Sequence, residues 1–254
     1  MQVTGIKIRP LVPPKDSLRD ALKETIRFSP KDGDIICVSS KVVSIEEGRT
    51  IPIRDIPDKE ILIQDESDWY LKAPKTSRYR RRFTITKGAM AGSAGIDESN
   101  AAEHYVLYPL DPFKSAKQLR AWLMKEYELK ELAVIITDSV SMPLRRGAIG
   151  FALSWDGIDP LRDYRGTPDI FGRLIRVELA NLIDSLAAAA VLEMGEGNEC
   201  MPVAIIRDAK NIKFKNRSPR NNAQLIVAPD DDVFAPFFFH KSFKWQKGGS
   251  GKKY

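Results

Sequence analysis

A carboxylate and a hydroxyl lie side by side after a short apolar run in the middle of the chain. The run, residues 134–136, consists of β-branched residues and predicts a buried strand, and Asp138 and Ser139 follow it after one threonine. Two adjacent oxygen ligands suit a hard cation such as Mg²⁺ or Mn²⁺. Because an Asp-Ser pair after a strand is more often a turn or a helix cap, the pair alone is a weak indication of a metal site.

Further oxygen donors stand at the ends of other predicted elements. Residues 87–100, KGAMAGSAGIDESN, lead through three glycines to Asp97, Ser99 and Asn100, which place three oxygen-bearing side chains in four positions. Asp97 or Ser99 is equally suited to cap a helix, and the two roles are compatible. Glu196 follows a glycine that is a natural stop for a long apolar helix. The residues alone do not show that these donors converge.

Cationic side chains accompany these donors. Ser39-Ser40-Lys41 follows a predicted strand at 34–38, and hydroxyls beside a lysine can hold phosphate, although a solvated turn is the favoured local interpretation. The region after the central strand is rich in Arg, Gly, Pro and Asp, which predicts a long loop that handles an anionic ligand. Its candidate phosphate- or carboxylate-binding side chains are Arg145, Arg162, Arg165 and Arg173, although some arginines in such loops form only structural pairs.

Apolar periodicity predicts the elements that must position these side chains. Ser17 caps a helix whose apolar stripe runs from Leu18 to Ile26. A helix over 174–194 is apolar on nearly all sides and is expected in the core. The other predicted elements are a helix at 115–127 and strands at 34–38, 61–63 and 202–207.

Composition limits the class of protein. The 254 residues include 40 Lys and Arg against 34 Asp and Glu, a net charge of +6 that favours anionic partners without singling out nucleic acid. Two cysteines, Cys37 and Cys200, and two histidines, His104 and His240, make a disulfide framework, a cysteine-rich zinc site and a Ser-His-Asp triad improbable. We expect a cytoplasmic protein, because neither a signal peptide nor a membrane-spanning run is evident.

The chain is expected to form one catalytic domain over residues 1–228, followed by a tail over 229–254. The tail is aromatic at first and rich in Lys and Gly at its end. Residues 248–252, GGSGK, lack the preceding strand, the following helix and the Ser or Thr of a phosphate-binding loop, so we expect a flexible segment.

Several motifs in this order resemble one enzyme family, the coenzyme F-420 gamma-glutamyl ligases. They are SSKVVSIEEGR, AGIDESN, VIITDS, PLRRG, GIDPLRDYRGTPDIFGR and AAAAVLEMGEG, within residues 3–207. The resemblance implies a mixed α/β (α+β), two-lobed ligase fold and a homodimer. It also implies an enzyme that joins L-glutamate to the lactyl-phosphate side chain of a deazaflavin, with GTP as co-substrate, two sites for Mg²⁺ or Mn²⁺, and K⁺ as a further cation.

The resemblance also implies roles for individual residues. Asp97 and Asp138 would hold one cation, and Ser139 and Glu196 the second. The implied nucleotide-binding residues are Arg9, Pro10, Leu11, Val12, Ser40, Lys41, Asn100, Met194, Gly195, Glu196, Gly197, Asn198, Glu199, Cys200 and Met201. The predicted catalytic residues are Asp97, Asp138 and Arg145, and the predicted substrate-binding residues are Arg162, Arg165 and Arg173.

The chain departs from the family pattern at a few positions. Ile45 stands where the family often has lysine, so one phosphate contact is expected to be missing, and Lys41 is placed to compensate. Ser93 replaces a common asparagine, and Ser141-Met142 replaces Gly-Arg. These changes alter the surroundings of the metal carboxylates but not the carboxylates themselves, so ligase chemistry is better supported than the identity of the acceptor.

The expected reaction has the same outcome as the reactions of ATP-grasp enzymes, but an unrelated fold catalyses it. The acceptor carboxylate attacks the γ-phosphate of the nucleotide, and the amine of glutamate captures the resulting acyl phosphate. Two cations would neutralise charge on the phosphates, which is the main need in phosphoryl transfer.

Two other functions stay open at this stage. The first keeps the ligase chemistry and changes the acceptor, for instance to a folate-like pterin. The second is a nucleic-acid-binding protein that uses basic residues 78–82, 210–220 and the tail. The second function leaves the ordered carboxylates unexplained, so it ranks last.

Overall fold

The computed structural model of the protein describes residues 1–56, 58–71, 83–215, 225–238, 240–241 and 243–251. The strands are β1 Gln2–Ile6, β2 Asp34–Ser39, β3 Thr50–Pro52, β4 Trp69–Leu71, β5 Phe83–Thr86, β6 Ala89–Gly92, β7 His104–Val106, β8 Leu132–Ser141, β9 Ala148–Asp156, β10 Leu161–Asp163, β11 Leu179–Asn181, β12 Val203–Arg207 and β13 Gln246–Lys247. The helices are α1 Leu18–Lys23, α2 Ser40–Glu47, α3 Lys59–Glu66, α4 Pro112–Glu126, α5 Leu182–Met194 and α6 Ala235–Phe238. The predicted mixed α/β fold is confirmed.

A five-stranded sheet in the order β1-β12-β2-β8-β9 forms the centre of the larger part. Its two middle strands, β2 and β8, are parallel and pair from Asp34↔Leu132 to Ser39↔Thr137, whereas the other pairs are antiparallel. Both strands contain a buried apolar run, residues 35–38 in β2 and 132–136 in β8, as expected for strands that are covered on two faces. The polar residues that follow them therefore lie together at one edge of the sheet, where α/β proteins commonly bind ligands.

Helices cover both faces of this sheet. One face carries Ile36, Val38, Val134 and Ile136, which belong to the same core cluster as the buried residues of α1, α2 and α4. The other face carries Ile35 and alternate residues of β8, and it packs against α5. The alternation of buried side chains along β2 and β8 thus fixes which helix each face holds.

A second, smaller sheet has the order β13-β4-β5-β6. A separate core cluster lies beside it, formed by α3, the turn Ser93–Gly95 and the β7 region, with Leu62 and Leu107 fully or almost fully buried. Two two-stranded ladders, β3-β7 and β10-β11, complete the pairing in the described ranges. The smaller part delivers residues 92–102 to the edge of the larger sheet.

Two predicted elements were wrong, the strand at 61–63 and the start of the helix at 174–194. In both places a capping residue decides where a helix begins. Residues 61–63 lie within α3 because Asp58 accepts a hydrogen bond from the Glu60 amide and starts a helix that buries Leu62 and Ile63. The helix predicted over 174–194 begins only at Leu182, where the Asn181 side chain accepts from the Asp184 amide. Residues 164–175 instead form a loop with its own main-chain hydrogen bonds.

Other boundaries need smaller corrections. The central strand does not stop at residue 136, because β9 continues to pair with β8 as far as Ser141. Ser17 does cap α1, but Ile26 lies beyond the end of that helix and is exposed. The helix predicted over 115–127 begins at Pro112, since Asp111 accepts from the Lys114 amide. Leu192 is 82% exposed, so α5 is buried on one face and not on all sides.

The end of the chain is not free in the part that the structure describes. Strand β13 pairs with β4, and the amides of residues 248–251 donate to main-chain oxygens of residues 64–68. The expectation of a flexible tail is therefore wrong for residues 246–251. The division of the chain at residue 228 stays a prediction. The basic runs predicted to contact nucleic acid at 78–82 and 216–220 lie outside the described residues.

Replacing Gly248 with Ala tests the docking of this segment. A Cβ at position 248 would overlap the main-chain oxygen of Ser67, so we expect the segment to detach and its amides to exchange about tenfold faster or more. Gly92→Ala is the matched control, because a Cβ there meets nothing within 4 Å. Hydrogen exchange measured by mass spectrometry over 246–251 compares the variants. Equal protection in G248A and the unmodified chain would contradict the docking.

Candidate active site

A cavity of about 680 Å³ lies at the edge of the large sheet where β2 and β8 end. Its wall combines segments that are far apart in the sequence, and they are residues 8–13, 39–45, 92–108, 137–139 and 191–202. All four predicted metal ligands, Asp97, Asp138, Ser139 and Glu196, are among the lining residues. The predicted nucleotide-binding residues Ser40, Lys41 and Asn100 also line this cavity.

Asp138 is positioned by the strand pairing. Its strand is shifted by a bulge between Ile136 and Thr137, opposite β9, and bulges of this kind commonly re-aim side chains beside active sites. The hydroxyl of Tyr108 donates a hydrogen bond to Asp138 Oδ2. Burial raises the pKa of Asp138 to about 6, against the opposing effect of the hydrogen bonds from Tyr108 and the Ser139 amide. The nearby charge of Asp97 adds to the increase.

Asp97 is delivered by the smaller part of the molecule. Its main chain forms a bridge with Val106, with N–O distances of 3.0 and 2.8 Å. The Asp97 carboxylate accepts from the amide and hydroxyl of Ser99 at 2.8 and 2.9 Å, so it caps a turn rather than a helix. Burial acts to raise the pKa of Asp97, but the hydrogen bond and charge of Lys41, together with Ser99, bring it below the ordinary value.

Lys41 connects the two parts of the molecule. It lies in the first turn of α2, and its Nζ is 2.6 Å from Asp97 Oδ2 and 2.9 Å from the main-chain oxygen of Ser99. The ammonium group therefore neutralises a carboxylate that is predicted to bind a cation. Ile45, one turn further along α2, is buried in the apolar core and forms part of the cavity wall without offering a charge.

Ser139 and Glu196 meet at the other side of the cavity. The Ser139 hydroxyl donates to Glu196 Oε1 at 2.5 Å. Helix α5 ends at Gly195, whose φ of 78° suits glycine, and this ending turns residues 196–201 across the cavity. Asn100 Nδ2 donates to the main-chain oxygen of Gly197 at 2.9 Å, which connects this loop to the turn that carries Asp97.

Residues Arg9 to Val12 also line the cavity. The Arg9 guanidinium is bound by Asp16, at 2.7 and 2.9 Å, and by Glu24 at 3.1 Å. The same Asp16 carboxylate accepts from the Val12 amide at 3.0 Å. Asp16 thereby fixes the path of the main chain over residues 9–12. The Arg9 side chain contributes to this by its ion pair with Asp16.

The predicted arginines of the long loop do not reach the cavity wall in the described chain. Arg165 and Arg173 line a separate groove of about 520 Å³. Arg165 forms two hydrogen bonds with Asp163, at 2.9 and 2.7 Å, and the Arg162 guanidinium lies 4.6 Å from the centre of the Tyr164 ring. Arg145 lies in an exposed turn after β8. Their substrate-binding and catalytic roles stay predictions.

The donor set is compatible with divalent cations that also bind phosphate. No three His, Cys, Asp or Glu side chains cluster as a metal site within the described ranges. Mg²⁺ is usually held by one or two carboxylates, with phosphate oxygens and water in the other positions. Asp97 with Asp138, and Ser139 with Glu196, supply such incomplete sets, and a cation would offset the cost of burying the Asp138 charge.

Two residues in the site were missed by sequence reasoning. Tyr108 contacts Asp138, and Arg49 donates from Nε to the main-chain oxygen of Tyr108 at 3.1 Å. A tyrosine within an apolar stretch is typical of core packing, and a single arginine after a glycine is typical of a turn. Neither residue type nor spacing therefore marked them.

The fold and the cavity define a mixed α/β protein whose carboxylates, lysine and helix ends suit an anionic ligand together with a cation. The chain matches the family model described as F420-0:Gamma-glutamyl ligase over residues 5–208. It is 32% identical over 248 residues to the coenzyme F420:L-glutamate ligase of Methanopyrus kandleri, which covers 92% of this chain and 97% of that protein. It is 36% identical over 237 residues to the ligase of the same name from Methanocaldococcus jannaschii, covering 84% and 89%.

The protein belongs to the F420-0:gamma-glutamyl ligase family. The resemblance inferred from the motifs is thereby confirmed. No helix in the described ranges has the length and apolar character needed to cross a membrane.

The two carboxylates of the site are expected to affect stability in opposite directions. Because the folded-state pKa of Asp138 is raised to about 6, its charge costs stability above pH 6, and this cost vanishes as the pH falls towards 4. We expect Asp138→Asn to stabilise the metal-free protein by about 1–3 kcal/mol at pH 8 and by little at pH 4. The lowered pKa of Asp97 means that its charge stabilises the protein above pH 4, so Asp97→Asn should destabilise by at most about 1 kcal/mol.

Urea denaturation in the presence of a chelator measures both variants at the two pH values. A destabilised D138N protein at pH 8 would show that burial of the Asp138 charge has no net cost. The Asp97 variant is the matched control, because it makes the same chemical change at the neighbouring carboxylate.

Proposed function

We propose that the protein is a GTP- and divalent-cation-dependent ligase that forms an amide bond between L-glutamate and the carboxylate of a coenzyme F-420 precursor. Family membership supports glutamate ligation in the synthesis of this coenzyme. The observation that carries the proposal for this chain is the convergence of Asp97, Lys41 and Asp138, from three separate segments, on one cavity.

Two helix termini border the cavity. They suit the two kinds of charge that such a reaction needs. The first turn of α2, with Ser40 and Lys41, presents amides, a hydroxyl and an ammonium group, which favour phosphate. The C-terminal end of α5, with Glu196 just beyond it, favours a cation. A nucleoside triphosphate with its bound cation carries both charges, so the cavity is matched to this ligand.

Each residue then has a defined task in the proposed reaction. Asp97 and Asp138 bind one cation, and Ser139 and Glu196 bind the second. The cations, when bound, neutralise the charge that develops on the phosphates. With a cation held at Asp97, Lys41 would be available to pair with a phosphate oxygen. The acceptor carboxylate oxygen forms a bond to the γ-phosphorus as the bond to the nucleoside diphosphate breaks.

The second step joins the two substrates. The amine of glutamate attacks the carbonyl carbon of the acyl phosphate, inorganic phosphate leaves with the bonding electron pair, and the amine loses one proton. The chain's own contribution is to hold the acceptor, the phosphate and glutamate together in a cavity that limits hydrolysis of the acyl phosphate. The arginines of the 157–173 loop are candidates for binding the acceptor phosphate or a carboxylate.

A homodimer is part of the proposal. The loop that carries these arginines exposes four apolar side chains, and Phe171 is 89% exposed. They are Ile170, Phe171, Leu174 and Val177. A second copy of the chain would remove such a surface from water.

The two thiols are free, with Cys37 buried and Cys200 exposed, which fits a reducing cytoplasm.

The acceptor is identified directly by mass spectrometry. The protein is incubated with L-glutamate, GTP, Mn²⁺ and either a deazaflavin bearing a lactyl-phosphate chain or a folate-like pterin. The proposal predicts a glutamate mass increment on the deazaflavin. An increment on the pterin alone would change the acceptor and leave the chemistry intact, whereas GTP-independent ligation would contradict the mechanism.

Replacing Lys41 with Met separates its role at the phosphate from a structural role. We expect the KM for GTP to rise about tenfold or more, because a charge-assisted contact to the nucleotide is lost. Lys23→Met is the matched control, because Lys23 pairs with Glu126 at 3.1 Å and does not line the cavity. Steady-state kinetics at saturating Mn²⁺ measure both variants. An unchanged KM in K41M would remove Lys41 from the nucleotide site.

A further inference from the structure

We infer that Tyr108 is a positioning residue that orients the Asp138 carboxylate for cation binding. This inference rests on the proposed cation site and adds a residue to it. The Tyr108 side chain is buried, with the residue 2% exposed, and its hydroxyl donates to Asp138 Oδ2. The carboxylate is thereby held by the phenol in addition to the Ser139 amide, which limits its rotation at the cavity wall.

Two contacts restrict the position of Tyr108. Gly95 has a φ of 72°, and a Cβ at this position would overlap the ring of Tyr108, so only glycine lets the ring lie where it does. The main-chain oxygen of Tyr108 accepts from Arg49 Nε at 3.1 Å. Arg49 in turn pairs with the buried carboxylate of Glu66 at 2.6 Å. The ring and its main chain therefore have little freedom to move.

The segment before Tyr108 also connects to Asp97. Asp97 bridges to Val106, which lies two residues before Tyr108 on the same segment. Tyr108 thus joins Asp138, on the large sheet, to the segment that carries Asp97, and sets both carboxylates towards one cavity.

Hydrogen bonds to metal-binding side chains commonly change cation affinity by about 10- to 100-fold. A purely structural tyrosine would change stability and leave cation affinity as it was. The two roles are therefore separated by measuring Mn²⁺ binding independently of folding and turnover.

The test compares Tyr108→Phe with Tyr105→Phe. Phenylalanine keeps the ring against Gly95 and removes only the hydroxyl. Tyr105 is an equally buried tyrosine on β7, next to Lys59 and away from Asp138, so it controls for the loss of a phenol. Binding of Mn²⁺ alone is measured by electron paramagnetic resonance of the full chain, and folding by circular dichroism.

We expect Y108F to be folded and to bind Mn²⁺ about tenfold more weakly or worse, with Y105F unchanged. Excess Mn²⁺ should restore turnover in Y108F. Gly95→Ala, which keeps the hydroxyl and displaces the ring, should reproduce the weaker binding. Affinity in Y108F within twofold of the unmodified chain would overturn the positioning role. No Mn²⁺ binding by the unmodified chain would instead contradict the proposed cation site, and the inference would fall with it.

Discussion

A carboxylate that is costly to charge is the constraint on which the site depends. Asp138 ends the buried part of a central strand, where burial raises its pKa to about 6. Such a group stays ionised at neutral pH only with help from hydrogen bonds or nearby positive charge. Tyr108, the Ser139 amide and Lys41 supply that help in the protein alone, and a divalent cation would supply more.

The fold places these groups together through its two parallel strands. Because β2 and β8 pair in register up to Ser39↔Thr137, the start of α2 must lie beside Asp138, the next residue of β8. The smaller part of the molecule then contributes Asp97 from the opposite side, and α5 contributes Glu196 from the other face of the sheet. Charge complementarity joins the parts, since the Lys41–Asp97 ion pair spans residues 56 positions apart in the chain. The site is thus a product of tertiary structure and not of any one motif.

Much of this arrangement could be predicted from the sequence, and the limits have physical causes. The strands at 34–38 and 134–136 were predicted because residues 35–38 and 134–136 are continuously apolar, and Gly195 predicted the end of α5 because helices often stop at glycine. Residues 61–63 were assigned to a strand because three apolar residues do not distinguish a strand from a helix face. The N-cap at Asp58 starts a helix here. This helix is stabilised because it buries Leu62 and Ile63.

The residues of the site could likewise be predicted only in part. Asp97, Asp138, Ser139 and Glu196 were recognisable as oxygen donors at element ends, and the family motifs implied that they converge. Tyr108 could not be found in this way, because its role depends on a contact with Asp138, which is 30 residues away in the sequence. The arginines near residue 165 were chosen by composition, and the structure engages Arg165 and Arg162 with near neighbours in the sequence.

Anomalous diffraction from crystals grown with Mn²⁺ and a non-hydrolysable GTP analogue tests the central claim most directly. We expect two manganese peaks in the cavity, both bound to phosphate oxygens. One peak would lie about 2.1 Å from oxygens of Asp97 and Asp138, and the other beside Ser139 and Glu196. Nucleotide bound in the cavity with no manganese at Asp97 and Asp138 or at Ser139 and Glu196 would contradict the two-cation site.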